Sequence, residues 1–274
     1  MRHRFPLLTA AMYLAAVSVW AEPRQIDPVE LTDLPAADVV VLGEVHDNPT
    51  HHVYQAVAIQ ALGAKALVFE MLTEAQALRI KPEHFGSADK LEQVLGWADT
   101  GWPDFAMYYP IFTAVEAPAV FGGAVPLDAA RKAIVDGAAA VLGDASVLFG
   151  LEDALDDDEQ SAREAGQLAA HCDALPIKML PGMVEAQRLR DAALARAVIA
   201  AMAETGGPVA VITGNGHARR DWGIPRALER AAPQFEVVTV GQFEAPPEGE
   251  VPFDFWLVTE AQEREDPCLA FEDR

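Results

Sequence analysis

The chain has 274 residues, 51% of them hydrophobic, and its 42 acidic against 20 basic side chains give a formal charge of −22. That length can bury a large core as one domain, or as one domain with a sizeable insertion. The acidic excess argues against nucleic acid as a partner, because phosphate binding is built on clustered Lys and Arg.

The first segment reads as a leader. Arg2, His3 and Arg4 precede an apolar stretch from Phe5 to Trp20, and small residues follow at the end of Val19-Trp20-Ala21. This is the pattern of a secretory signal peptide over residues 1–21, cleaved after Ala21. It is shorter than a membrane anchor, and no later segment has the uninterrupted apolar length of a span. No cysteine stands at the cut for lipid attachment. The expected mature protein is periplasmic or secreted.

A Pro-containing linker leads to the first strand, Asp38 to Glu44, whose run Val39-Val40-Val41-Leu42 ends in the turn Gly43-Glu44-Val45-His46. Asn48-Pro49 reads as a helix cap with proline at the first helical position, opening a helix to about Leu62. A second strand, Ala66 to Glu70, completes a βαβ unit. Residues 75–117 look helical but broken, with an aromatic cluster at Trp97, Trp102, Phe105, Tyr108 and Tyr109. Ala119-Val120-Phe121 closes that region, and a short strand is expected from Ala124 to Asp128. From 129 to 205 the pattern is helical, about four helices, with Asp156-Asp157-Asp158-Glu159 as a solvated face. The α/β pattern then resumes: a strand at Pro208–Gly214 followed by Gly214-Asn215-Gly216-His217, a helix at Pro225–Ala232, and strands at Phe235–Val240 and Phe253–Val258.

Short apolar runs bounded by turn residues are the signature of strands buried on both faces of a parallel sheet. The predicted fold is therefore α/β, a parallel Rossmann-like sheet flanked by helices. The α/β domain takes residues 22–128 and 206–274, and residues 129–205 form a smaller helical subdomain.

In such sheets ligands bind outside the carboxyl ends of the strands. The two Gly-x-x-His turns and the strand ending Val68-Phe69-Glu70 would bring Glu44, His46, Glu70 and His217 to one rim. Two carboxylates and two imidazoles could form a divalent metal site with an open position. They could equally form a histidine base held by a carboxylate for water activation. His51 and His52 are expected on the exposed surface of the first helical turn. On the helix from about Gly182, Met183, Gln187, Asp191, Leu194, Val198 and Met202 share one stripe. Gln187 and Asp191 are its polar members, which need partners if buried. Arg219 could hold an anionic substrate group or a haem propionate, or pair with the surplus carboxylates. Cys172 and Cys268 are the only cysteines, and an oxidising compartment makes them a candidate disulfide.

These motifs, with Phe69-Glu70-Met71, Gly101-Trp102-Pro103, Tyr109-Pro110, Glu185-Ala186-Gln187-Arg188, Arg190-Asp191 and Gly214-Asn215-Gly216-His217-Ala218-Arg219, resemble the ChaN family of exported haem-binding, iron-uptake-associated proteins. That family lies in the superfamily of the Tiki and TraB proteins and the erythromycin esterases. The resemblance implies a parallel α/β domain with a small helical domain, and haem held between two subunits of a homodimer through a tyrosine ligand. It also implies an acid–histidine site that relatives use for hydrolysis, with metal in Tiki; the matching positions are Glu44, His46, Glu70 and His217. Tyr108 and Tyr109 lie in the aromatic cluster and are the ligand-side candidates, with Gln187, Asp191 and Arg219. The leading reading is a haem or iron-compound binder. Its rival is a hydrolase of an ester, lactone or peptide, in which His46 is the base, Glu44 and Glu70 orient it or bind metal, and His217 stabilises the oxyanion.

The cysteine pairing gives a first test. Thiol labelling of the folded, exported protein without reductant should modify neither Cys172 nor Cys268; modification of both would refute the pairing.

Overall fold

The computed structural model describes residues 22–266 together with Cys268 and Leu269; the leader expected over residues 1–21 lies outside the described residues. The apolar runs become strands because their alternate side chains can be buried on opposite faces at once. Seven strands result: β1 (Arg24–Gln25), β2 (Val39–Glu44), β3 (Ala66–Phe69), β4 (Ala119–Gly122), β5 (Val209–Gly214), β6 (Val237–Phe243) and β7 (Phe255–Val258). They form one sheet in the order β1-β7-β6-β2-β5-β3-β4, every neighbouring pair parallel. The register sets Glu44 beside Gly214, and Phe69 beside Ile212.

Ten α-helices complete the described chain: α1 (Pro49–Leu62), α2 (Glu74–Ala77), α3 (Ala88–Leu95), α4 (Phe105–Phe112), α5 (Leu127–Asp136), α6 (Ala138–Leu142), α7 (Asp157–Ala170), α8 (Leu180–Thr205), α9 (Asn215–Ala218) and α10 (Ile224–Ala231). Among the described residues none is long and apolar enough to cross a membrane. The first of them starts and stops where local chemistry dictates. Asn48 accepts the Thr50 N–H at 3.0 Å, Pro49 needs no donor partner, and Gly63 turns the end at φ +62°.

The sheet divides the core in two. Val40, Leu42, Leu67, Phe69, Ala210 and Ile212 face a layer that includes Ile59 of α1, Leu91 and Leu95 of α3, and Tyr108 and Phe112 of α4. Val39, Val41, Ala66, Val68, Val209 and Val211 face Leu194 and Val198 of α8 with Ile224 and Leu228 of α10. Thus α8, drawn from the 129–205 segment, lies against β3, β4 and β5 as part of the second helical layer. Cys172, just beyond α7, is bonded to Cys268 with Cα atoms 5.4 Å apart, tying the helical half to the C-terminal segment.

Two expectations fail here. The strand expected at 124–128 lies earlier, at Ala119–Gly122; Leu127 begins α5 instead. The reason is β3, whose free edge pairs Ala66 with Ala119 and Phe69 with Gly122, a contact no local pattern encodes. The two-residue β1 was also not anticipated; it is exposed and pairs in parallel with β7.

Phe69 is fully buried and stacks on Phe112, ring centroids 4.4 Å apart and planes within 9°. Phe69→Ala should destabilise the fold by about 3–5 kcal/mol, read as a lowered denaturation midpoint with an unchanged slope. A loss below about 1 kcal/mol would contradict the packing just described.

Candidate functional site

The parallel arrangement puts all strand carboxyl ends on one edge, and β2, β5 and β3 are adjacent there. Glu44 closes β2, His46 follows by two, Glu70 comes directly after β3, and His217 lies in α9 after β5. The four expected residues therefore meet, in two linked groups.

The first group surrounds Glu44, which is 2% exposed. The His46 Nδ1–H donates to Glu44 Oε1 at 2.7 Å, and the Tyr108 hydroxyl donates to the same oxygen at 2.9 Å. Gln55 donates to Oε2 at 2.7 Å and to the Leu42 carbonyl at 3.1 Å. His52 Nδ1 lies 3.4 Å from Oε2 and 3.2 Å from the Gln55 carbonyl oxygen, while Nε2–H donates to the His46 carbonyl at 2.9 Å. Both His52 nitrogens thus face acceptors, which favours the charged ring. Burial alone would raise the Glu44 pKa, but the His46 and His52 hydrogen bonds outweigh it and bring it down to about 2. Burial works against a proton on His46 too, yet the Glu44 bond and the charge of Glu70 raise its pKa.

The second group surrounds His217. Its Nδ1–H donates to Asp191 Oδ1 at 2.6 Å, Nε2 lies 3.4 Å from Glu70 Oε1, and the Gln187 amide packs 3.1 Å from Nδ1. Glu70 Oε2 accepts from the Thr213 hydroxyl at 2.7 Å and from the Gly214 N–H at 2.8 Å. Burial would lower the His217 pKa, but the carboxylates of Glu70 and Asp191 prevail and push it up to about 10. Glu70 is desolvated, yet His217, His46 and the Gly214 N–H hold it well below the ordinary range. The two groups touch where His46 Nε2 comes within 3.9 Å of Glu70 Oε2. Gly214 makes this approach feasible, since a Cβ there would stand 2.9 Å from His46 Nε2.

Several expected roles change. His51 and His52 are completely buried rather than exposed, because the face of α1 carrying them with Gln55, Ala58 and Ile59 is the one against the sheet. His51 Nδ1 accepts the Val45 N–H at 2.9 Å and its Nε2 lies 2.8 Å from the Thr259 hydroxyl; burial lowers its pKa to about 4, leaving it neutral. Tyr108 is fully buried with its hydroxyl turned inward to Glu44, and burial together with that carboxylate drives its pKa far up; it offers no phenolate to an iron from outside. The Tyr109 hydroxyl donates to the Phe85 carbonyl at 2.8 Å. Trp97 and Phe105 are core; besides Tyr108, Trp102 of the aromatic cluster meets the site, its ring centroid 4.8 Å from His46. Arg219 pairs with Asp221 and lies over the Trp222 ring, 3.7 Å from its centroid. Gln187 and Asp191 do reach the strand-end cluster.

Of the four residues expected to hold a metal, His217 has its Nδ1 on Asp191 and Glu70 has Oε2 on two protein donors. Among the described residues, no group of three or more His, Cys, Asp or Glu side chains is arranged to hold a metal ion. The polar partners missed from sequence were His52, Gln55 and Tyr108 around Glu44, and Thr213 on Glu70. The helical spacing of His51, His52, Gln55, Ala58 and Ile59 was the available signal, since it continues one face of α1 inward.

Fold and site together define a parallel α/β protein with an ionised histidine–carboxylate cluster at the carboxyl edge of its central strands. The chain belongs to the haem-binding uptake family ChaN of the Tiki superfamily, whose model matches residues 31–228. Among solved structures it is similar to the ChaN of Campylobacter jejuni described with cofacial haem, at 18% identity and a TM-score of 0.58, covering 83% of this chain and 87% of that one. At that identity the likeness concerns the fold. The type III effector HopBA1 is 12% identical with a TM-score of 0.48, over 88% of this chain and 97% of that one. No curated protein matches the sequence.

The charges predict a stability optimum with two limbs. Glu44 is lowered from 4.5 to about 2, so its contribution is full above about pH 4.5 and lost as the pH falls towards 2. His217 is raised from 6.5 to about 10, so its contribution is full below about pH 6.5 and lost as the pH rises through 10. The thermal midpoint should therefore fall on both sides of a plateau near pH 4.5–6.5. His217→Gln should lower the plateau and flatten the alkaline limb; an alkaline limb of unchanged slope would contradict the assignment.

Proposed function

We propose that the protein is an exported haem-binding uptake protein of the ChaN type that receives haem at the rim around His46. Family membership supports the ligand class, and one observation carries the site. His46 is the accessible imidazole of the cluster, its side chain 32% exposed against 8% for His217 and none for His52. Its Nδ1–H is committed to Glu44, while Nε2 makes no hydrogen bond among the described residues and stands 3.9 Å from Glu70 Oε2.

Iron in haem takes a neutral imidazole nitrogen as an axial ligand. Glu44 holds the His46 ring through Nδ1–H, so Nε2 is the nitrogen left to take iron in place of a proton, and the bond strengthens it as a donor. Trp102 supplies an apolar wall beside it. His46 thereby takes the place that the sequence assigned to Tyr108 or Tyr109. Export follows from the basic–apolar leader and agrees with the bonded cysteines.

A hydrolytic reading rests on the 2.7 Å bond from His46 to Glu44, which would hold the imidazole as a general base towards water. In that case His217, protonated and close to Glu70, would serve the developing oxyanion.

Titrating haemin into the mature protein should give a saturable shift of the Soret band. His46→Ala should abolish or displace that band while Tyr109→Phe leaves it in place. An unchanged haemin spectrum with wild type would sink the haem reading, and loss with Tyr109→Phe alone would move the ligand to tyrosine. Hydrolysis would instead appear as turnover on an ester panel, lost about 10²–10⁴-fold in His46→Ala.

A further inference from the structure

Beyond β7 the chain continues along the carboxyl edge of the sheet as a strap, Thr259 to Asp266, with no regular secondary structure and no buried residue. Four of these eight residues are acidic and one is basic, so the strap has no apolar face to order it. Its order comes from polar contacts to the turn that carries His46 and from a covalent bond just past its end.

The contacts fall on both sides of His46. Before it, the Val45 N–H donates to His51 Nδ1 at 2.9 Å, and the other nitrogen of that ring lies 2.8 Å from the Thr259 hydroxyl. After it, Arg264 Nε donates to Asp47 at 2.8 Å, while Nη1 and Nη2 grip both oxygens of Glu244 at 2.6 and 2.7 Å. Asn48 donates to Glu244 at 2.8 Å and to the Glu260 carbonyl at 3.2 Å, and the Gln262 N–H reaches Glu244 at 3.2 Å. Val45, Asp47 and Asn48 thus all depend on the strap or on its partner Glu244.

The far end is fixed by Cys268, bonded to Cys172 beyond α7. Arg264 and Cys268 are four residues apart, about 14 Å at full stretch, so clamp and latch are close together. Cys172 takes φ +57°, a left-handed position where glycine is usual, so the chain accepts backbone strain to present a sulfur there. Both cysteines are half-buried rather than sealed. With the latch closed, the strap is tied at both ends. With it open, the strap is a free tail beyond Thr259, held by ion pairs of partly exposed side chains, which add little by themselves.

We propose that the strap is a redox-latched positioning element for the His46 turn. While Cys172 and Cys268 are bonded, Arg264 stays on Asp47 and Glu244 and the turn is held. A dithiol reductant opens the latch by giving two electrons and two protons; the S–S bond breaks, both cysteines become thiols, and the dithiol closes to a disulfide. Arg264 then leaves Asp47, and the turn loosens around His46. The proposal takes His46 as the functional group of the site, as above, and concerns how that ring is held rather than what it binds.

Diethylpyrocarbonate labelling of the mature protein, read by mass spectrometry, follows the His46 ring without haem or substrate, so this proposal and the haem reading can fail separately. Dithiothreitol should speed His46 modification by about threefold or more, the scale of losing one exposed ion pair. Cys268→Ser should do the same without reductant. Arg264→Gln should also raise the rate in the oxidised protein, and reductant should then add little, because both act through one clamp. His84, whose Nδ1 accepts the Lys81 N–H outside the strap, should label at a constant rate throughout. The proposal is overturned if reduction or Cys268→Ser leaves the His46 rate unchanged, or if Arg264→Gln has no effect or adds in full to reduction. It is overturned equally if His84 and the buried His52 speed up alongside His46, which would mark a general loosening of the fold.

Discussion

Glu44 ends a central strand with its carboxylate out of water, and a charge in that position survives only when its lone pairs are met by fixed donors. Three elements supply them. His46 comes from the turn after β2, Gln55 and His52 from α1, and Tyr108 from α4. Taking away one donor would leave an uncompensated buried charge, which typically costs about 3–5 kcal/mol. The position of α1 and α4 over the sheet is thus an electrostatic matter as well as an apolar one.

The other face of the sheet repeats the arrangement with different parts. Glu70 and His217 come from β3 and from α9 after β5, while Asp191 reaches them from α8. An imidazolium between two carboxylates offsets their repulsion and pins α8 against the strand ends. Among the described residues the two charge clusters meet through the 3.9 Å approach of His46 to Glu70. His46 is therefore oriented by one cluster, biased by the other, and still half-open to solvent beside Trp102. A ring so constrained loses little freedom on binding a ligand, which is the advantage of a preorganised site.

The strand runs and the two Gly-x-x-His turns were legible because they are local. Val39–Leu42 and Val209–Ile212 carry no polar residue, so they can only be buried on both faces, and a parallel sheet follows. Convergence of Glu44, His46, Glu70 and His217 then follows from direction alone, since parallel strands end on one edge. The boundary at β4 was not legible. Ala119–Gly122 is a strand because β3 offers it an edge, while Ala124-Val125-Pro126-Leu127 has as good a local pattern and no partner. His51 and His52 failed for a related reason, since their residue type suggests a wet surface and only the docking of α1 puts them inside.

By itself the sequence determined the strand-end architecture, the cap at Asn48-Pro49 and the residues brought to the rim, because these depend on periodicity, turn chemistry and strand direction. Tertiary structure decided what each of those residues can do. It turned Tyr108 inward to Glu44, tied Arg219 to Asp221, committed His217 to two carboxylates and left His46 with the accessible nitrogen. Protonation and ligand capacity depend on burial and on the nearest opposite charge, and both come from elements far apart in the chain.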